Sequence, residues 1–145
     1  MATVQRSILV EYSADEMRAL VEDIGSYPEF LPWCGGTAIV SRDDTRTVAT
    51  ISIDYRGIRQ DFTTENLTSP GSGIRIRLVS GPFRKLEGEW LFKALAPQAS
   101  KVSLNLEYEF SGRLLDTVLG PVFHYITDSM VEAFVKRAEA IYGPR

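Results

Sequence analysis

Apolar residues alternate with mostly polar ones at Val4, Ile8, Val10 and Tyr12, the period-2 pattern that predicts a half-buried strand. A helix follows. Ser13 and Glu16 have the spacing of a capping box, Met17, Leu20, Val21 and Ile24 recur at helical intervals, and Gly25 closes the segment. Ser26 to Leu31 predicts a second short helix with Pro28 in its first turn and Pro32 as its stop. From Gly35 to Ser111 alternating β-branched and aromatic residues predict six successive strands, cut at Asp43-Asp44, Gly57, Pro70-Gly71-Ser72-Gly73, Gly81-Pro82 and Ala96-Pro97. Even positions are apolar in the later strands: Ile74, Ile76 and Leu78, then Leu86, Trp90 and Phe92, then Val102, Leu104, Leu106, Tyr108 and Phe110. Such a sheet has one apolar face and one wet face. The final segment returns to the helical period, with Leu115, Val118, Leu119, Val122, Phe123, Ile126, Met130, Phe134, Ala138 and Ile141 in one stripe. Pro121 either kinks this helix or begins its main part, which then runs for about twenty residues and roughly 30 Å. The order predicts an α+β fold: seven antiparallel strands curled around one long C-terminal helix, with two short helices after the first strand.

Composition narrows the chemistry more than the fold. A chain of 145 residues fits one domain over positions 1–145, burying roughly 70% of its unfolded surface. Hydrophobic residues at 44% and charged residues at 24% exclude a disordered or fibrous chain. Sixteen Lys and Arg against nineteen Asp and Glu give a net charge of -3, too acidic overall for a module held mainly by phosphates, although a local basic patch fits. A single cysteine, Cys34, and a single histidine, His124, allow no intrachain disulfide, no Cys/His zinc cluster and one imidazole for acid-base work. The start of the chain lacks a leader pattern and no window approaches the roughly 20 apolar residues of a membrane span, so a cytoplasmic location is expected.

Several segments admit two readings each. Tyr27, Phe30, Leu31 and Trp33 crowd beside Gly35-Gly36, as a core plug or as a gate over a cavity, flexed at the glycines. Cys34 there reads as a small buried apolar group. Gly81-Pro82 reverses the chain and presents Phe83 at a loop tip. With Arg84 and Lys85 behind it, that tip is either a plain turn or an element touching headgroups or RNA. Pairing across this turn sets Arg75 near Glu89 and Arg77 near Glu87, a solvated structural face whose pairs contribute at most about 1 kcal/mol each. His124 has Asp128 four residues on but no third group for a nucleophile relay, and Gly71-Ser72-Gly73 lacks the Lys of a phosphate loop.

The interior carries the stronger functional signal. Parity turns Ala49, Ile51, Ile53 and Tyr55 inward on one strand and Phe62, Thr64 and Asn66 on the next. An unpartnered buried amide costs about 1–3 kcal/mol. An inward Asn66 therefore implies water or a polar ligand head, or else a local hydrogen bond or a strand end reached by solvent. Ligand-lining candidates are Ile51, Ile53, Tyr55, Phe62 and Thr64 from these strands, Leu78, Trp90, Phe92, Leu104 and Leu106 from the later ones, and Phe123, Met130 and Phe134 from the helix.

The run Tyr27-Pro28-Glu29-Phe30-Leu31-Pro32-Trp33-Cys34, then Gly81-Pro82-Phe83-Arg84-Lys85-Leu86 with Gly88 and Trp90, and finally Ala133-Phe134, Arg137-Ala138 and Tyr142-Gly143, resembles the START-like family. The similar branch holds ubiquinone-binding proteins and bacterial ribosome association toxins, within the polyketide cyclase/dehydrase-like superfamily. The resemblance implies a helix-grip fold, also described as START/Bet v 1-like, whose sheet and C-terminal helix enclose a cavity for an apolar molecule. It implies non-enzymatic binding of ubiquinone or a related isoprenoid lipid in support of respiration, with no other cofactor and no metal. The alternative it implies is a toxin that binds the large ribosomal subunit and blocks subunit association, with Arg84 and Lys85 as the contact. Phe30, Leu31, Trp33 and Phe83 are the expected gate. A polyketide cyclase-type activity, also found on this fold, ranks third, since a single histidine and no paired-carboxylate motif leave little to catalyse with, and the branch brings no catalytic residue set. Transient contact with the inner membrane surface and no DNA partner complete the expectation.

Overall fold

A computed structural model describes residues 2–69 and 73–145. The expected turn residues Pro70, Gly71 and Ser72 lie outside the described residues. Strand β1 spans Ala2–Val10 and helix α1 Ala14–Glu22, and a 3₁₀ turn covers Ile24–Glu29. Strands β2 (Cys34–Arg42), β3 (Arg46–Tyr55), β4 (Ile58–Ser69), β5 (Gly73–Ser80), β6 (Phe83–Ala96) and β7 (Ala99–Phe110) follow, and helix α2 spans Arg113–Tyr142. They form one antiparallel sheet in the order β1-β7-β6-β5-β4-β3-β2. Chain order is kept except that β1 closes beside β7. The expected helix-grip architecture is thus present, with α2 lying against the apolar face.

Local chemistry accounts for the elements. The Ser13 hydroxyl accepts from the Glu16 amide at 3.0 Å and the Glu16 carboxylate accepts from the Ser13 amide at 2.9 Å, a complete capping box. Helix α1 ends at Glu22, short of Gly25, because tertiary partners take its last carbonyls: the Tyr27 hydroxyl donates to Val21 and Arg42 Nη2 donates to Glu22 at 2.8 Å. The second helix is a 3₁₀ turn, and Pro28 is its fifth residue rather than part of its first turn. Helix α2 runs unbroken through Pro121 for 30 residues, about 45 Å. Both Pro121 and Thr117, whose carbonyl loses its partner, are exposed, so water can replace the missing bond. Two members of the expected stripe fall outside it. Val118 is 46% exposed on the flank of α2, and Ile141 is 52% exposed in its last turn.

Strand parity holds. Phe92, Val102 and Leu104 are at most 1% exposed, while Lys93, Lys101 and Glu107 on the opposite parity are exposed. Gly88 occupies an inward position where a Cβ would meet the Asn105 carbonyl oxygen at 2.0 Å, which allows the close approach of β6 to β7. The register sets Arg75 opposite Glu89 and Arg77 opposite Glu87, as the sequence predicts.

Candidate functional site: an apolar cavity under the long helix

The sheet's apolar face and α2 leave a cavity of about 80 Å³ between them. The wall facing the helix carries Ile51, Phe62, Thr64, Asn66, Ile76, Leu86, Trp90 and Leu106. Helix α2 contributes Phe123, Ile126, Thr127, Met130 and Phe134, and Val21, Tyr27 and Trp33 close one end. Of the lining side chains only the Tyr27 phenol is titratable. Burial, with the Asp23 charge as a smaller contribution, pushes that phenol well above its ordinary range, so it stays protonated and donates to the Val21 carbonyl.

Two polar points face the cavity. The Thr64 hydroxyl is buried and donates to Asn66 Oδ1 at 3.3 Å. No hydrogen bond among the described residues uses the Asn66 NH₂. Thr127 turns its hydroxyl back to the His124 carbonyl at 3.2 Å, so it contributes a methyl to the wall. The inward Asn66 is therefore half satisfied by its neighbour and keeps two donors to offer.

Eight of the expected lining residues surround the cavity: Ile51, Phe62, Thr64, Trp90, Leu106, Phe123, Met130 and Phe134. Five do not. Ile53 and Leu104 are buried in neighbouring layers of the core, and Phe92 lies under α1 with the Arg18 guanidinium 5.7 Å from its ring centre. Tyr55 stacks on Tyr125 at 5.0 Å between centroids, and Leu78 is half-buried toward the end of β5. The sheet coils as it wraps α2, so inward parity does not ensure that a side chain reaches the void. Trp33 and Asn66, expected as gate and as inward polar group, and Val21, Tyr27, Ile76, Leu86, Ile126 and Thr127 complete the lining. Four of these already belonged to apolar stripes and Tyr27 to the aromatic run, whereas Thr127 carried no signal.

The residues expected as a gate pack into the core. Leu31 and Trp33 are at most 2% exposed, and half-buried Phe30 sits edge-on to Phe134 at 5.2 Å with the Arg137 guanidinium 4.9 Å from its ring centre. Phe83 is not presented at a loop tip: it is 5% exposed and packs against Phe62, Phe110 and Phe123 at 5.8, 4.8 and 5.0 Å. Cys34 is buried, and its thiol is pushed up by that burial. Arg84 and Lys85, the expected ribosomal contact, both have acidic neighbours. Arg84 lies 3.7 Å from Glu109, and Lys85 lies 2.9 Å from Glu107 and 3.3 Å from Glu87, which hold its ammonium above the usual range. The register of β6 with β7 brings these carboxylates alongside. A larger open depression of about 610 Å³ lies on the other side of the sheet, but Arg75, Arg77, Glu87, Glu89 and Glu107 line it, and charged walls do not suit an apolar ligand.

Residues 10–135 match the sequence profile of the family described as polyketide cyclase / dehydrase and lipid transport. The ribosome association toxin RatA of Vibrio cholerae serotype O1 is 43% identical over 143 residues, covering 99% of this chain and 99% of that protein. The mitochondrial coenzyme Q-binding protein COQ10 of Drosophila melanogaster is 26% identical over 94% of this chain and 58% of its own length. Among solved structures, the ZhuI aromatase/cyclase of a Streptomyces species superposes with a TM-score of 0.79 at 17% identity, covering 95% of this chain and 93% of that one.

Proposed function

The chain belongs to the polyketide cyclase/dehydrase and lipid transport family, in its START-like branch, and from that premise we propose that it is a non-enzymatic protein that associates with the ribosome. The observation that carries this reading is 43% identity, end to end, with a ribosome association toxin, against 26% with the coenzyme Q-binding protein. The cavity agrees with it. Small-molecule sites span about 300–1,000 Å³, and this one, at about 80 Å³, holds a few waters in the shape described. Its walls offer no acid or base beyond a high-pKa phenol buried at one end, which leaves cyclase chemistry without a proton carrier. The activity then resides on the outer surface, in the cytoplasm. Cosedimentation with separated and associated ribosomal subunits tests the reading: the protein is expected to pellet with the large subunit and to reduce the associated fraction. A wild-type protein that stays in the supernatant at low salt refutes it.

A second reading is favoured by one feature, the free NH₂ of Asn66 beside Thr64 in an otherwise apolar wall, which matches a ligand with an apolar body and a carbonyl acceptor such as ubiquinone. Uptake requires the cavity to widen several-fold. Trp33 and Trp90 in the wall provide the assay, since a quinone bound there quenches their fluorescence. Titration with a short-chain ubiquinone is expected to quench the wild type and not a folded Met130→Glu variant. An unquenched wild type removes the ligand reading.

A further inference from the structure

Arg84 and Lys85 each stand beside carboxylates, which weakens their draw on a polyanion, and the strand register locates two cations without such neighbours. Lys93 on β6 stands directly opposite Lys101 on β7, and Lys101 stands directly opposite Leu9 on β1. All three are exposed, Leu9 to 68%. Like charges directly opposed across strands destabilise a sheet, and neither lysine takes part in an ion pair among the described residues. The next rows of the same face carry Ser7 opposite Ser103 and Gln5 opposite Asn105. The carboxylates Glu87 and Glu107 pair with each other two residues beyond Asn105. The β6 strand adds Leu91 opposite Ser103 and Glu89 opposite Asn105, so the outer face of β1, β7 and β6 grades along the strands: the two ammoniums with leucines and serine hydroxyls nearest the β6–β7 hairpin, amides beside the first carboxylate next, and the Glu87–Glu107 row beyond.

We infer that this Lys93–Lys101 face is the surface that meets ribosomal RNA. The inference rests on the ribosomal reading and names the partner's chemistry, the phosphodiester backbone. Two adjacent ammoniums without counter-charge match adjacent phosphates. The Ser7 and Ser103 hydroxyls in the next row are groups that bond phosphate and sugar oxygens without reading sequence. The lysines lie within the strands of the sheet face and not in the turn itself, which favours a polyanion lying across the strands, while the exposed Leu9 and Leu95 beside them make a vesicle arm necessary in the test.

The test is cosedimentation with large ribosomal subunits over a salt series, using wild type, Lys93→Gln/Lys101→Gln and, as a control, Arg84→Gln/Lys85→Gln. Loss of two phosphate contacts is expected to flatten the log-log salt dependence by about 1.4–1.8 units, and the control is expected to keep the wild-type slope. Removing the opposed charges also relieves repulsion, so the Lys93/Lys101 variant is expected to melt at or above the wild-type midpoint, which separates lost binding from lost folding. Wild-type binding with an unchanged slope in the lysine variant overturns this surface and leaves the ribosomal reading standing. No wild-type binding at all overturns the ribosomal reading and this surface with it. A parallel flotation with vesicles of anionic phospholipid decides the remaining case: lysine-dependent flotation with lysine-independent ribosome binding overturns the RNA assignment.

Discussion

Replacing Phe134 by alanine tests how the helix is gripped. Phe134 is 1% exposed, and three aromatic rings meet it edge-on: Tyr27 at 5.5 Å, Phe30 at 5.2 Å and Trp90 at 5.4 Å between centroids. Truncating a buried phenylalanine destabilises by about 3–5 kcal/mol. Edge-to-face pairs add about 0.5–1.5 kcal/mol each beyond area burial, which places Phe134 in the upper half of that range. Alanine's better helix propensity offsets only about half a kcal/mol, leaving a net loss near 4 kcal/mol. At about 2–4 °C per kcal/mol for a chain of this size, the midpoint falls by about 8–16 °C. The ring also borders the cavity of about 80 Å³, so its removal merges two voids into a larger apolar one. Apolar cavities of about 150 Å³ take up benzene. Thermal unfolding followed by circular dichroism, with and without saturating benzene, is the assay. Benzene should raise the midpoint of Phe134→Ala and leave the wild type unmoved. A loss under about 1 kcal/mol, or equal benzene shifts in both proteins, refutes a helix gripped through this aromatic contact.

Two further predictions follow from local geometry. Bidentate bonding from Arg145, with the Ser13 backbone amide, pulls the Glu16 carboxyl from 4.5 down to about 2. A depressed carboxylate stabilises the fold above its unfolded pKa and loses that contribution as pH falls. Urea unfolding from pH 6 to pH 2 should therefore show a shallower acid decline for Glu16→Gln than for wild type between about pH 4.5 and 2, and identical slopes would contradict the clasp. Gly88→Ala forces a Cβ against the Asn105 carbonyl at 2.0 Å, whereas Gly36 has nothing within 4 Å, so calorimetry should find the first variant markedly destabilised and Gly36→Ala nearly neutral.

Periodicity alone determined most of the architecture, because a strand with one buried face must alternate and a helix on that face must repeat near 3.6. Seven strand segments and the parity that turns Phe62, Thr64 and Trp90 inward were legible for that reason, and the capping box at Ser13 from its local spacing. What depended on neighbours distant in sequence was not. The end of α1 at Glu22 is decided by Tyr27 and Arg42, which reach its carbonyls from outside the helix. Phe83 follows a turn and looks exposed on the page, yet the turn folds it under Phe110 and Phe123. Arg84 and Lys85 look unpaired until β7 brings Glu107 and Glu109 alongside, and Lys93 and Lys101 look unremarkable until the same register sets them face to face. The volume of the cavity is likewise a tertiary quantity. It is the small difference between the space enclosed by a coiled sheet and the side chains filling it, and no single segment carries that difference.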